Sequence, residues 1–200
     1  MFQKFVSISL VVFLTTLWVK GSVCSQELDW DSLNRGQIIV EDATNIQDVH
    51  GLRAYFIVEA SAERVWDVLT DYENFAEVFK GIDKVTVLSE NKHGAKVEFW
   101  VSVIFKKSHY VLHRKYEKPN ELLTWKRASG DLKVIEGSWE IKTLPDSENV
   151  MLIYSSFVDI GGIIPTRLVR WHAKREVSNM AERLRSWLVF NSVVSPKRNP

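Results

Sequence analysis

One segment of the chain, Ser61-Ala-Glu-Arg-Val-Trp-Asp-Val-Leu-Thr-Asp-Tyr72, stands between an extended run and a long series of others. Ser61 is suited to cap a helix, because its hydroxyl accepts a first-turn N–H, and Glu63 sets negative charge at the positive end of the helix dipole. Val65, Trp66 and Leu69 then share one side, leaving Glu63, Arg64 and Asp67 for solvent. Asp71 is expected to cap a second turn in which Tyr72, Phe75 and Phe79 recur on the same face, with Gly81 ending it. Taken singly, each of these aromatics is ordinary core. Their place in the order of elements is what constrains the fold.

Ahead of this segment, Ile38-Ile39-Val40 opens extended structure, a polar region runs from Glu41 to His50, and Leu52 to Val58 reads as a strand. Behind it lie strand-like runs at Lys84 to Ser89, Ala95 to Phe105, Ser108 to Tyr116, Glu121 to Ala128, Val134 to Thr143 and Val150 to Ile160. The breaks at Asn91 to Gly94, Pro119-Asn120, Ser129-Gly130-Asp131 and Pro145 to Asn149 are turn formers, and their short spacing implies an antiparallel meander. Gly161-Gly162 and Pro165 then introduce a long helix, expected to reach about Phe190. Its residues Ala173, Val177, Met180, Leu184 and Trp187 form one apolar stripe. The large apolar surface open to that stripe is the concave face of the sheet. The expected α+β architecture is therefore a curved antiparallel sheet with the C-terminal helix across its concave face and the two short helices closing one end.

At 200 residues and 46% hydrophobic content, the chain suits a single domain, which buries about 70% of its unfolded surface. Its one cysteine, Cys24, excludes an intrachain disulfide, a Cys-rich zinc site or a CxxC redox pair. Residues 1–25 read as an export signal: Lys4 is the charged start, Phe5 to Val19 an apolar stretch of 15 residues, and Val23-Cys24-Ser25 a cleavage-like site. That stretch is shorter than the roughly 20 apolar residues of a spanning helix, and an uncleaved membrane anchor is the alternative. A periplasmic or secreted location follows from cleavage. Removing Lys4 and Lys20 would move the net charge from +1 to −1, which gives no basis for nucleic-acid binding. Residues 26–36 form a polar leader in which Leu28, Trp30 and Leu33 suggest loose packing on a domain spanning 37–190, and 191–200 is a polar tail.

Strand alternation places Ile135, Gly137, Trp139 and Ile141 on one face, expected inward, and Glu136, Ser138 and Glu140 on the other. The series Val97, Phe99, Val101, Val103 and Phe105 makes a second apolar wall, and Met180 adds a deformable surface from the long helix. No catalytic constellation is evident. His109 and His113 share a strand face but stand about 13 Å apart, too far for one metal ion, and Glu136 and Glu140 are separated likewise. The chain contains no Gly-x-Ser-x-Gly, His-Glu-x-x-His or Gly-x-Gly-x-x-Gly motif. Gly161-Gly162 is more simply a strand-to-helix turn than an anion site. No cofactor or metal is expected.

From about Gln37 to Leu188 the chain resembles the START/Bet v 1-like (SRPBCC) superfamily of helix-grip folds, within it the polyketide-cyclase/coenzyme-Q-binding START branch. The carriers are Leu33-x-x-Gly36, Val65-Trp66-x-x-Leu69-x-Asp71-Tyr72, Gly137-x-Trp139-x-Ile141 and Pro165-x-x-Leu168-Val169-Arg170. Gly81 departs from the pattern, since many such sequences have proline there. The resemblance implies a deep apolar cavity between sheet and terminal helix for a lipid, quinone, sterol-like or polyketide molecule. On that basis the expected ligand contacts are Trp66, Phe99, Val101, Val103, Ile135, Gly137, Trp139, Ile141, Tyr154, Val177, Met180 and Leu184. Gly137 is expected to leave room for the guest. Arg167, Arg170 and Lys174, with few acids nearby, form a stripe suited to transient contact with anionic membrane lipids, against the simpler account of a solvated face. Two functions remain open: a noncatalytic carrier or sequestering module for a hydrophobic small molecule, and a cyclase/aromatase-like enzyme in which Tyr110, Arg114 or Tyr154 orients a polyketide.

Overall fold

The structure, a computed structural model, describes residues 28–103, 106–161 and 166–194, without the side chains of residues 103, 106, 166–170 and 192–194. The expected signal segment at 1–25 lies outside the described residues. Three short helices and two strands precede the meander: α1 (Trp30–Asn34), β1 (Ile39–Thr44), β2 (His50–Val58), α2 (Ala62–Thr70) and α3 (Phe75–Val78). Strands β3 (Ile82–Asn91), β4 (Gly94–Val103), β5 (Lys106–Lys118), β6 (Leu122–Gly130), β7 (Val134–Thr143) and β8 (Val150–Asp159) follow, and α4 (Thr166–Val194) ends the series.

All eight strands join one antiparallel sheet in the order β1-β2-β8-β7-β6-β5-β4-β3. Hairpins set most of that order. The exception is β8, which returns beside β2 with Ala54 opposite Tyr154 and Phe56 opposite Leu152. Asn120 and Asp146 take positive φ at the β5–β6 and β7–β8 turns, a conformation that Asn and Asp tolerate. Strand β1 extends beyond the expected Val40 through Thr44, because its backbone pairs with β2 from Ile39–Tyr55 to Thr44–His50. An edge strand held by backbone bonds needs little apolar patterning, so the polar run Glu41 to Thr44 carries no strand signal of its own.

Ser61 caps α2, its hydroxyl accepting the Arg64 N–H at 3.2 Å. Asp71, expected to cap a turn starting at Tyr72, instead precedes it by a longer step. Asn74 holds the N-cap position of α3, and the Asp71 carboxylate accepts from the Asn74 backbone N–H at 3.3 Å and its side-chain amide at 2.7 Å. The delay lets Tyr72 turn into the core, where it is buried. Gly81 has φ +87°, which excludes proline, whose ring holds φ near −65°. This explains the departure at that position.

Helix α4 continues past Phe190 to Val194 and lies over β2, touching α2 and α3 as well. Its inner line is Val177, Ala181, Leu184 and Leu188, with Met180 and Trp187 packed beside it. The leader is not loosely attached. Asp29 caps α1 by accepting the Ser32 N–H at 2.9 Å, and Leu33, 1% exposed, packs on Met151 and Ile153 against the outer face of β8. Arg185 of α4 ties the two layers by donating to the carbonyl oxygens of Ile57 at 2.9 Å and Gly36 at 2.8 Å.

Candidate functional site

The inward face of the sheet is unusually rich in rings because alternate positions of five neighbouring strands carry them. In β5 the inward set is Tyr110, Leu112, Arg114 and Tyr116. Register places Phe99 of β4 opposite Tyr110, and the two rings stack at 5.6 Å. Arg114 faces Trp125 of β6, and Trp125 faces Gly137 of β7. Trp139 lies opposite Tyr154 of β8, with ring centroids 4.6 Å apart, and Trp125 stacks on Tyr154 at 5.8 Å.

Between this face and the helices lies a cavity of about 240 Å³. Phe99, Tyr110, Leu112, Arg114, Trp125, Ile135, Trp139, Tyr154 and Ser156 form its floor, and Phe75, Phe79, Val177 and Met180 its roof. Exposed Lys80 and half-buried Ile82, Glu176 and Arg183 complete the wall. Helix α2 supplies none of the wall. It seats against β7 and α4 with Val65, Val68 and Leu69 buried, and this cavity lies beneath α3 and α4.

Six of the sequence-expected contacts therefore line the cavity: Phe99, Ile135, Trp139, Tyr154, Val177 and Met180. Others sit elsewhere. Trp66 lies at the edge of the core that holds Val65, Val68 and Leu69, outside the cavity wall, and packs edge-on against Tyr116 at 5.4 Å. Val101, Ile141 and Leu184 are buried in the surrounding apolar core. Gly137 leaves room, but for Trp125 and not for a guest: a Cβ there would run into the Trp125 indole and the Ser155 carbonyl oxygen. The side chains of Val103, Arg167 and Arg170 lie outside the described part of the structure. Lys174 is not short of acids, since its ammonium meets Asp42 at 3.1 Å.

Sequence patterning missed Trp125, Leu112 and the α3 pair Phe75 and Phe79 as wall residues. The alternation of Leu123 and Trp125 was the available signal. What local pattern does not carry is the proximity of Gly137 on the next strand.

The polar side chains of the cavity floor are buried Arg114 and partly buried Tyr110, Tyr154 and Ser156. Arg114 is 4% exposed, and its Nη1 has no hydrogen-bond partner. Its guanidinium stands 5.1 Å from the ring centres of both Tyr72 and Phe75, within cation–π range. Burial pushes its pKa down, partly opposed by the neighbouring tyrosines and Glu90. Burial pushes the phenols of Tyr110 and Tyr154 up, so both remain protonated hydrogen-bond donors at neutral pH. Tyr72 and Tyr116 meet at 3.1 Å, and Tyr116 donates to Glu90 at 2.7 Å, which leads a polar chain from the core to the surface.

On the outer face, His109 pairs with Glu98 at 2.9 Å and packs against Trp100 at 4.2 Å. Glu136 accepts from the Asn45 amide at 2.6 Å. Among the described residues, no three His, Cys, Asp or Glu side chains gather to hold a metal ion, and no helix is long and apolar enough to cross a membrane.

A family model described as polyketide cyclase/dehydrase and lipid transport matches residues 58–185. No curated protein matches the chain. Solved structures of similar fold include human StAR-related lipid transfer protein 5, at TM-score 0.63 and 13% identity, covering 78% of this chain and 84% of its own. A STAR-related lipid transfer protein fragment from Xanthomonas axonopodis is similar at TM-score 0.61 and 20% identity, with 76% and 93% covered. The Zhui aromatase/cyclase from Streptomyces sp. R1128 is similar at TM-score 0.50 and 20% identity, with 78% and 92% covered. At these identities the likeness establishes the fold, a helix-grip arrangement of curved sheet and C-terminal helix.

Proposed function

The chain belongs to the polyketide cyclase/dehydrase and lipid transport family, and from that premise we propose that it binds and carries or sequesters a hydrophobic small molecule, of lipid or quinone type, without transforming it. The observation that supports this reading best is the ring-lined cavity of about 240 Å³ beneath α3 and α4. Its volume is slightly below the roughly 300–1,000 Å³ of common small-molecule sites, which favours a compact guest or a modest outward shift of α3. Burying hydrocarbon gains about 0.8 kcal/mol per CH₂, so an apolar molecule leaves a membrane only for a comparably dry interior. Aromatic walls interrupted by a few fixed donors suit such a guest.

The second reading is a cyclase/aromatase-like enzyme, favoured by the convergence of Tyr110, Arg114 and Tyr154 on one cavity. Against it stands the direction of both phenol pKa shifts, because a tyrosine held firmly protonated is a poor general base at neutral pH. The carrier proposal takes residues 1–25 as an export signal and the Arg167, Arg170 and Lys174 stripe as a site of transient membrane contact. Replacing those three with glutamine is expected to weaken binding to anionic vesicles. Unchanged binding removes the membrane element.

Native mass spectrometry of freshly purified protein tests the central reading. A retained small mass, released intact on denaturation, is the expected result. Reproducibly empty protein, together with turnover of a polyketide substrate, would favour the enzyme.

A further inference from the structure

Arg114 is the most deeply buried charged group in the cavity wall, and the carrier reading leaves its chemistry unused. A guanidinium removed from water with an unmet N–H is costly, and such groups are ordinarily paired with a carboxylate. Among the described residues, no carboxylate forms an ion pair with Arg114. Glu90 accepts from Tyr116 instead, and Glu98 is engaged with His109 on the outer face. The rings of Tyr72 and Phe75 give the charge partial compensation, but a ring face accepts no strong hydrogen bond. Arg183, also in the wall, has a buried Nε without a partner, and Lys80 stands in the same wall. Against these three cations the wall holds one acid, Glu176.

We propose that the guest supplies the missing partner: a single-chain amphiphile whose carboxylate pairs with Arg114 while its hydrocarbon lies along the Trp125, Trp139 and Met180 walls. This rests on the carrier reading and adds the chemical class of the guest. A carboxylate matches the planar fork of an arginine through two parallel N–H···O bonds, which are stronger in a dry site than in water. It would complete the hydrogen bonding of Nη1 and neutralise a charge that the rings compensate only in part. The donors Tyr110 and Tyr154 line the same cavity and suit an oxygen-bearing head. An alcohol of the same length would bury equal hydrocarbon and leave the charge unpaired. An amine would add a further cation.

Isothermal titration of the full chain at pH 7.5 with decanoate, decan-1-ol and decylamine tests this. Decanoate is expected to bind at least tenfold more tightly than decan-1-ol, with decylamine weakest. Arg114→Met should bring decanoate down to the affinity of decan-1-ol while leaving the alcohol within about twofold, and Arg114→Lys should keep part of the preference. Equal affinities of acid and alcohol for the unaltered protein would overturn the anchor and leave the carrier reading standing. So would a preference that survives Arg114→Met. Should that variant not fold, the acid–alcohol comparison on the unaltered protein decides alone. Failure of all three probes, with no copurified mass, would bring down the carrier reading itself and the anchor with it.

Discussion

Replacing Gly137 with alanine tests whether the cavity wall depends on one strand's missing side chain. A Cβ at this position would overlap the Ser155 carbonyl oxygen and the Trp125 indole, whose Cε2 would stand 2.8 Å away. The carbonyl belongs to the β7–β8 ladder, where Gly137 pairs with Ser156, and cannot withdraw without bending the strand. The indole can tilt, but it stacks on Tyr154, so it must break that contact or enter the cavity. Overpacking of this kind costs about 1–3 kcal/mol. For a chain of this size that is a fall in Tm of roughly 2–12 °C, at about 2–4 °C per kcal/mol. Urea unfolding followed by tryptophan fluorescence gives the free energy, provided the m-value is unchanged. Introducing Trp125→Leu into Gly137→Ala removes the ring overlap and leaves the carbonyl overlap. The pair should therefore show a favourable coupling of about 1 kcal/mol in a double-mutant cycle. Additivity within about 0.5 kcal/mol would refute the reasoning, since it would mean that the ring and the glycine do not share space.

Three further outcomes follow from particular contacts. Ser61→Ala removes the cap on α2 and should cost about 1 kcal/mol in urea unfolding, with Ser61→Asp restoring most of it. Arg185→Met removes the donors to Ile57 and Gly36, and should cost about 1.5–3 kcal/mol. Hydrogen exchange in that variant should quicken at Leu33 to Gln37 more than in α2, and uniform quickening would mean that Arg185 does not hold the leader. Met180→Trp should fill the cavity from α4 and abolish any retained small mass in native mass spectrometry. Retention at the original level would place the guest elsewhere.

Much of the architecture was legible because it is written in local periods. Ser61 to Leu69 carries a cap and a dry face within three turns, and β7 was bounded correctly at Val134 and Thr143 because turn formers flank an alternating run. The long stripe of α4 announced a helix needing a partner surface. Elements with weak side-chain signals were less visible: the end of β1 is held by backbone pairing, and α1 is anchored by one leucine under a cap. The turn of Trp66 onto Tyr116 shows the limit of helical spacing, since a residue one step from the core face can belong to a different contact.

From its own order of residues the chain determined its strands, its two short helices, its closing helix and the aromatic character of the inward faces, because each depends on neighbours a few positions apart. Which aromatics surround empty space was decided only in three dimensions. The seating of α2 on β7 fills one end of the interior, and Trp125 lies over Gly137 from an adjacent strand. Arg114 loses its water there without gaining a carboxylate. Close packing and desolvation join residues far apart along the chain, and no short-range pattern carries that information.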